Sequence, residues 1–181
     1  MKKSLGPNQV WEFDNIQMRI AMHEDAENYY NGNFTPLDEE VARLTGSRTD
    51  FTKEEVTNFF HICIDDDSRY DFLLIKDGRI IGESVINEID EGNNSANFRI
   101  CLFHPDNTPK GLGTWAIKRT IDFAFNTIKL HRLELEVFSF NPRAIRAYEK
   151  AGFIKEGVRK EAIKTEDGYA DAILMAIINK T

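Results

Sequence analysis

The sequence predicts a single mixed α/β (α+β) domain over residues 1–181, with a mixed, mostly antiparallel sheet of about seven strands flanked by about four helices. Three features predict this class. Three strand-like runs follow one another closely from Tyr70 to Phe103, a glycine-containing stretch precedes a helix-like run from Trp115, and Asn141-Pro142 opens another. Because short connections join antiparallel neighbours, the three runs form a meander.

The composition is that of an ordinary globular protein, with 41% hydrophobic and 29% charged residues. A formal charge of -7 disfavours binding to nucleic acid or to an anionic membrane. The N-terminus has no apolar signal-like run, and no stretch approaches the length of a transmembrane helix. We therefore expect a cytoplasmic protein whose partner is neutral or cationic.

The two cysteines, Cys63 and Cys101, lie inside apolar runs. Their positions fit neither the paired spacing of a metal site nor a disulfide scaffold. We expect both to be reduced core residues, and we expect no metal site.

The N-terminal part predicts a short strand, "IQMRIAM", and then a helix in "HEDAENYYNGNF". A second helix is indicated by Thr52 and Glu55, which have the spacing of a capping box. Its apolar stripe consists of Val56, Phe59, Phe60 and Cys63.

The middle of the chain predicts three strands, "YDFLLIK", "RIIGESVINEI" and "ANFRICLF", joined by turns at Asp77-Gly78 and residues 91–94. A helix from Trp115 and the strand "RLELEVF" follow. Asn141 is a good N-cap and Pro142 suits the first helical position, while Gly152 ends that helix. Two closing strands, "FIKEGVRKEAIK" and "YADAILMAIIN", complete the sheet.

The stretch "TPKGLGTWA", residues 108–116, allows three interpretations. A helix N-terminus offers N–H groups and a positive dipole end to an anion, and Lys110 adds a charge. Alternatively, Gly111 and Gly113 serve only helix packing. The stretch also fits a dinucleotide pattern with Glu134 downstream, but residues 105–110 separate it from the preceding strand.

Two motifs carry a family resemblance. The glycine loop after His104-Pro105 is similar to [QR]-x-x-G-x-[GA], and "NPRAIRAYEKAGF" looks like N-x-x-[AS]-x-x-x-Y-x-x-x-G-F. With the element order, these motifs make nearly the whole chain resemble the GNAT superfamily of N-acetyltransferases. The segment "LHRLELEVFSFNPRAIRAYEKAGFIKEG" is most similar to the spermidine acetyltransferases and the ribosomal-protein N-terminal acetyltransferases.

The resemblance implies acetyl-CoA as cosubstrate and a fold in which two strands diverge to admit it. Backbone amides of the loop would bind the pyrophosphate, and a strand N–H near Phe103 would hold the oxyanion. Thr108 stands where the family has Gln or Arg, and Pro109 has no N–H to offer. The implied cofactor contacts are Phe103, Thr108, Lys110, Gly111, Leu112, Gly113, Thr114, Asn141 and Arg143.

Acetyl transfer needs an acid for the leaving thiolate and a base for the amine. The resemblance assigns the acid to Tyr148, whose alternative role is that of a core tyrosine. Glu83 and Glu88 are the candidate bases, and strand alternation points them to opposite faces. We favour Glu88, with Asp90 as an accessory charge, although a solvated glutamate is the other interpretation. We interpret His104 and His131 as surface residues.

The acceptor is least specified. Asp38, Glu39 and Glu40, together with Glu88, Asp90 and Glu91, would surround it with negative potential. This favours a small amine such as a polyamine, or alternatively the N-terminus of a ribosomal protein or another peptide. A non-catalytic CoA-binding regulatory module is a further alternative. The two closing strands leave an edge that would pair in a homodimer.

Overall fold

A computed structural model describes residues 9–180, in which eight strands form one sheet and five α-helices flank it. The strands are β1 (Val10–Phe13), β2 (Ile16–Ile20), β3 (Tyr70–Lys76), β4 (Arg79–Asp90), β5 (Ser95–Leu102), β6 (Arg132–Phe138), β7 (Ile154–Thr165) and β8 (Gly168–Ile178). The helices are α1 (Ala26–Asn33), α2 (Glu39–Thr45), α3 (Lys53–Asp65), α4 (Leu112–Asp122) and α5 (Pro142–Ala151). The predicted mixed α/β class is confirmed.

The strands lie in the order β1-β2-β3-β4-β5-β6-β8-β7, and every neighbouring pair is antiparallel except β5 and β6. The parallel pairing covers only three residue pairs, from Ser95↔Arg132 to Asn97↔Glu134. The remaining parts of β5 and β6 are unpaired with each other. The sheet therefore opens between β5 and β6, as the family resemblance implies.

Two elements go beyond the predicted seven strands and four helices. β1 is only four residues long, and it precedes the first strand predicted from the sequence. Residues 1–8 lie outside the described residues. α2 is a seven-residue helix that begins after Asp38, whose carboxylate accepts from the N–H of Val41 at 3.0 Å. It ends at Gly46, where φ is +68°.

The two faces of the sheet carry different layers. The main core lies on the side of α4 and α5, and it includes Phe98 of β5 and Leu135 of β6. A smaller core on the other face joins Ala26 of α1 and Phe60 of α3 to Leu73. Because successive strand residues alternate in direction, each strand sends one set of side chains to each layer.

Local start and stop signals mostly agree with the structure. Thr52 and Glu55 form the predicted capping box, and Gly152 ends α5 with a φ of +108°. The prediction of the apolar stripe of α3 is wrong at one position, Phe59, which is 59% exposed. Cys63 is buried and Cys101 is half-buried, and neither is in a disulfide.

Within residues 9–180, no helix is long and apolar enough to span a membrane. The same part of the chain contains no group of three or more His, Cys, Asp or Glu side chains placed to hold a metal ion.

Candidate active site

A cavity of about 510 Å³ lies where β5 and β6 diverge. α2 forms one wall through Val41 and Leu44, while the start of α4 and the inner face of α5 form the others. Its strand walls consist of residues 99–102 of β5 and 136–138 of β6. The cavity therefore reaches the backbone edges that the parallel pair leaves open.

The glycine loop forms one wall of this cavity. Gly111 is the N-cap of α4 with a φ of +91°, a conformation that favours glycine. Among the described residues, the N–H groups of Gly111, Gly113 and Thr114 have no hydrogen-bond partner. A helix N-terminus with free N–H groups binds phosphate well.

Packing within the protein does not account for Gly113. A Cβ built there would meet nothing closer than Leu102 Cδ1 at 3.7 Å, which is an ordinary contact. The dinucleotide alternative also fails, because β5 is antiparallel to β4 and a 3₁₀ turn separates it from the loop. Glu134 instead pairs with Arg132 at 2.8 Å.

Besides Phe103, three of the implied cofactor contacts do not line the cavity. Thr108 donates both its hydroxyl, at 2.8 Å, and its N–H to the carbonyl of Pro105. Leu112 is fully buried in the core, and its N–H donates to the carbonyl of Pro109. Lys110 is exposed beside the cavity. Its side chain is the one of these three that remains available to a bound anion.

α5 supplies the opposite wall. Asn141 caps the helix by accepting from the N–H of Ala144 at 3.1 Å, as predicted, and it lines the cavity together with Arg143. Arg146 and Lys150 extend this cationic wall. The three cations of α5 therefore suit a ligand with several phosphates.

Tyr148 lies at the boundary between the main core and the cavity. Its ring packs edge-on against Phe98 and Phe153, and only 6% of the residue is exposed. It also lines the cavity, and no hydrogen-bond partner of its hydroxyl is among the described residues. Burial, with a contribution from Cys101, raises the pKa of the phenol well above its ordinary value. The hydroxyl therefore keeps its proton at neutral pH.

The prediction at Phe103 needs correction. The N–H of Phe103 donates to the carbonyl of Ile81 at 3.0 Å, and its side chain is fully buried. It has no donor left for an oxyanion. In an antiparallel ladder the backbone groups of alternate residues point to opposite sides, so Leu102 and Ile100 direct theirs toward β6. Both of these residues line the cavity.

Glu88 and Asp90 also lie away from the cavity. Glu88 is exposed in a bulge of β4 with a φ of +53°, near the turn that leads to the start of β5. Asp90 accepts hydrogen bonds from the N–H and the side-chain amide of Asn93. The choice of Glu88 as base is therefore wrong in position, because the bulge lies at the opposite end of β5 from the glycine loop.

Glu136 of β6 is the one carboxylate among the residues that line the cavity. Leu135 and Val137 point into the main core with Tyr148, so Glu136 points to the opposite face of the sheet. Its carboxylate accepts from Arg159 at 2.6 Å, and the side chain is 32% exposed. Glu136 was not predicted from the sequence, although the alternation in "RLELEVF" marks its face.

Glu83 of β4 does not line the cavity, but it contacts Arg99, which does. It is 5% exposed, and it accepts from the hydroxyl of Tyr29 at 2.9 Å. Arg99 Nη1 lies 2.9 Å from its other oxygen, and Arg99 itself lines the cavity. Glu83 was a candidate base from the sequence, whereas Tyr29 and Arg99 were not predicted.

The predicted ring of acids does not form. Asp38 lies beside α2, with an oxygen 3.8 Å from His104 Nδ1, and Glu40 pairs with Arg43 at 2.7 Å. Glu88, Asp90 and Glu91 lie at the other end of β5. His131 is exposed, as expected of a surface residue.

Comparison with known proteins agrees with this geometry. The acetyltransferase (GNAT) domain family matches residues 15–154. The chain is 31% identical over 115 residues to a probable N-acetyltransferase of Bacillus subtilis, a match that spans 64% of each protein, just under two thirds. It is 30% identical over 127 residues to the spermidine N(1)-acetyltransferase of Vibrio cholerae, covering 69% of this chain and 72% of that protein.

Solved structures share the fold. The crystal structure of a Vibrio cholerae spermidine N-acetyltransferase in complex with CoA and spermine matches with a TM-score of 0.79 at 24% identity, covering 92% of this chain and 96% of that one. A ribosomal-protein alanine acetyltransferase from Vibrio fischeri matches with a TM-score of 0.80 at 23% identity, over 96% and 98% of the two chains. With the family match over most of its length, the chain belongs to the GNAT acetyltransferase family.

Proposed function

We propose that this protein transfers the acetyl group of acetyl-CoA directly to a primary amine. The observation that carries the proposal is the convergence of three features on one cavity: the diverging strands, the free N–H groups of the glycine loop and Tyr148. The N–H groups of Gly111, Gly113 and Thr114 would hold the pyrophosphate, and the cations of α5 would face the remaining phosphate. Acetyl-CoA supplies the reactive thioester.

Tyr148 and Glu136 approach the gap between β5 and β6 from opposite faces of the sheet. Tyr148 holds a proton at its hydroxyl and donates it to the departing thiolate. Glu136 accepts the proton of the amine, either directly or through a water molecule, and so replaces Glu88 in this role. The N–H of Leu102, directed toward β6, stabilises the oxyanion.

Tyr148→Phe tests the assignment of the acid. It should lower kcat by about 10²-fold, within the range for lost acid catalysis, and leave the Kd of acetyl-CoA nearly unchanged. Tyr169→Phe is the matched control, because Tyr169 is 66% exposed and outside the cavity. An unchanged kcat in Tyr148→Phe would remove Tyr148 from the mechanism.

Glu136→Gln tests the assignment of the base in the same way. We expect kcat/KM at neutral pH to fall by about 10²-fold or more. Glu134→Gln is its control, because Glu134 lies on the same face of β6 but outside the cavity. Equal activity in the two variants would contradict the role of Glu136.

For the acceptor, a polyamine is the first class to test, because two relatives are named spermidine N(1)-acetyltransferases. Only the acids near α2 remain to attract a cationic acceptor to the cavity, since Glu88, Asp90 and Glu91 lie at the other end of β5. Acetylation of spermidine and spermine should be compared with that of peptides with free N-termini, at low and high salt. Turnover of polyamines that weakens with salt would support this acceptor class.

The non-catalytic alternative predicts cofactor binding without transfer. Calorimetry with acetyl-CoA, followed by an amine panel, separates the two. Binding without loss of thioester to any amine would contradict the enzyme. Failure to bind acetyl-CoA would contradict both the enzyme and the CoA-binding module.

A further inference from the structure

Opposite charges face each other across the open part of the sheet. The parallel pairs of β5 and β6 join residues 37 positions apart, as in Asn97↔Glu134. Continuing this register places Arg99 opposite Glu136, at the point where the strands have separated. Both residues line the cavity.

Arg99 and Glu136 also point to the same face of the sheet. Their neighbours Phe98 and Leu135 lie in the main core with Tyr148, so the two charged side chains point away from it. The side chains of Val41 and Leu44 of α2 line the same cavity. An acceptor that enters beside α2 therefore meets a cation on one strand and a carboxylate on the other.

Arg99 is held in place but is not saturated. One nitrogen, Nη1, lies 2.9 Å from Glu83, whose second oxygen is held by Tyr29. No other partner of the guanidinium is among the described residues, and its side chain is 44% exposed. A guanidinium carries five N–H donors in a planar fork that matches carboxylate and carbonyl oxygens. Glu83 is thus a positioning residue for Arg99.

We propose that Arg99 binds a carbonyl or carboxylate oxygen of the acceptor while Glu136 receives its amine. The acceptor class is an amine with a carbonyl on the adjacent carbon, as in an α-amino acid or a peptide N-terminus. A polyamine has no such oxygen, and its second ammonium group would be repelled by Arg99. This inference rests on the proposed amine acetylation and selects among its acceptors.

The test uses acceptors matched in side chain: L-leucine, L-leucinamide and 3-methylbutylamine, with the corresponding alanine set and with spermidine. We expect KM for the α-amino carbonyl compounds to be about tenfold or more below that for the plain amines, the effect of one charge-assisted hydrogen bond. Preference for the free acid indicates an amino acid as acceptor, whereas equal or better use of the amide indicates a peptide N-terminus.

Arg99→Gln should remove this preference by raising KM for the α-amino carbonyl compounds about tenfold, leaving kcat/KM for plain amines unchanged. Because this variant leaves the buried Glu83 without its cation, Arg99→Gln with Glu83→Gln is a second variant that removes both charges. Calorimetry with acetyl-CoA confirms that each variant is folded.

The outcomes distinguish failure of this inference about the acceptor from failure of the proposed amine acetylation. If plain amines or spermidine are used as well as the α-amino carbonyl compounds, or if both Arg99 variants keep the preference, the inference is wrong while amine acetylation stands. If no amine is acetylated although acetyl-CoA binds, the proposed function itself is wrong.

Discussion

At the scale of single residues, Cys101 shows how a cavity-lining group can remain unreactive. Burial, with a contribution from Glu83, raises the pKa of its thiol to about 12, and burial also raises the pKa of the Cys63 thiol. Because the thiolate is the nucleophile, the Cys101 thiol is a weak nucleophile at pH 8. We expect native protein to react with iodoacetamide at least about 100-fold more slowly than unfolded protein, as measured by intact mass. Rapid alkylation of Cys101 at pH 8 would contradict this.

For single residues, some positions in the site were predictable from the sequence and others were not. Asn141, Gly111 and Tyr148 were predictable, because a cap, a positive φ and a motif position are local properties. The position of the base was not predictable, because strand alternation shows which face a side chain points to but not which end of the strand lies at the cavity. Glu88 also lies in a bulge, which breaks the alternation on which its prediction depended.

At the scale of elements, the start of α4 depends on two glycines for different reasons. Gly111 has a φ of +91°, so Gly111→Ala should destabilise the fold by about 1–2 kcal/mol. Gly113 has room for a Cβ and lies in the helix, so Gly113→Ala should be neutral or stabilise by up to about 1 kcal/mol. Urea unfolding of both variants checks this, and equal losses of stability would contradict it.

Long elements were predictable from pattern, while short ones were not. β3 and β6 have the predicted bounds, because their apolar runs are continuous or strictly alternating. β1 is stabilised by pairing with β2 and by Trp11, which packs edge-on against Phe72. α2, at seven residues, is too short to show a clear apolar period. Tertiary contacts therefore contribute to both elements, although Asp38 and Gly46 also give α2 a local start and stop signal.

At the scale of the whole molecule, β7 is a twelve-residue edge strand of the sheet. Ile154 on this strand and Tyr169 on β8 are 62% and 66% exposed. A long edge with exposed apolar side chains favours pairing with another chain. We expect light scattering to show a homodimer that Ile154→Lys weakens. A monomer at every micromolar concentration would contradict this.

The stability of the molecule should fall at alkaline pH. Burial is the main cause of a raised pKa at five groups: Tyr29, Tyr70, Tyr148, Cys63 and Cys101. Above about pH 9 the unfolded chain begins to lose these protons while the folded chain keeps them. The folded state then binds more protons, so the free energy of unfolding falls as pH rises, by at most about 1.4 kcal/mol per pH unit for each group.

Urea unfolding at pH 7, 9 and 10.5 measures this loss of stability. Tyr148→Phe should make the free energy of unfolding fall less steeply above pH 10, because phenylalanine has no proton to lose in the unfolded chain. Tyr169→Phe is the matched control, because it removes a hydroxyl from a residue that is 66% exposed. A stability that is flat from pH 9 to 10.5, or equal slopes in the two variants, would show that the buried hydroxyl of Tyr148 does not contribute to the alkaline loss of stability.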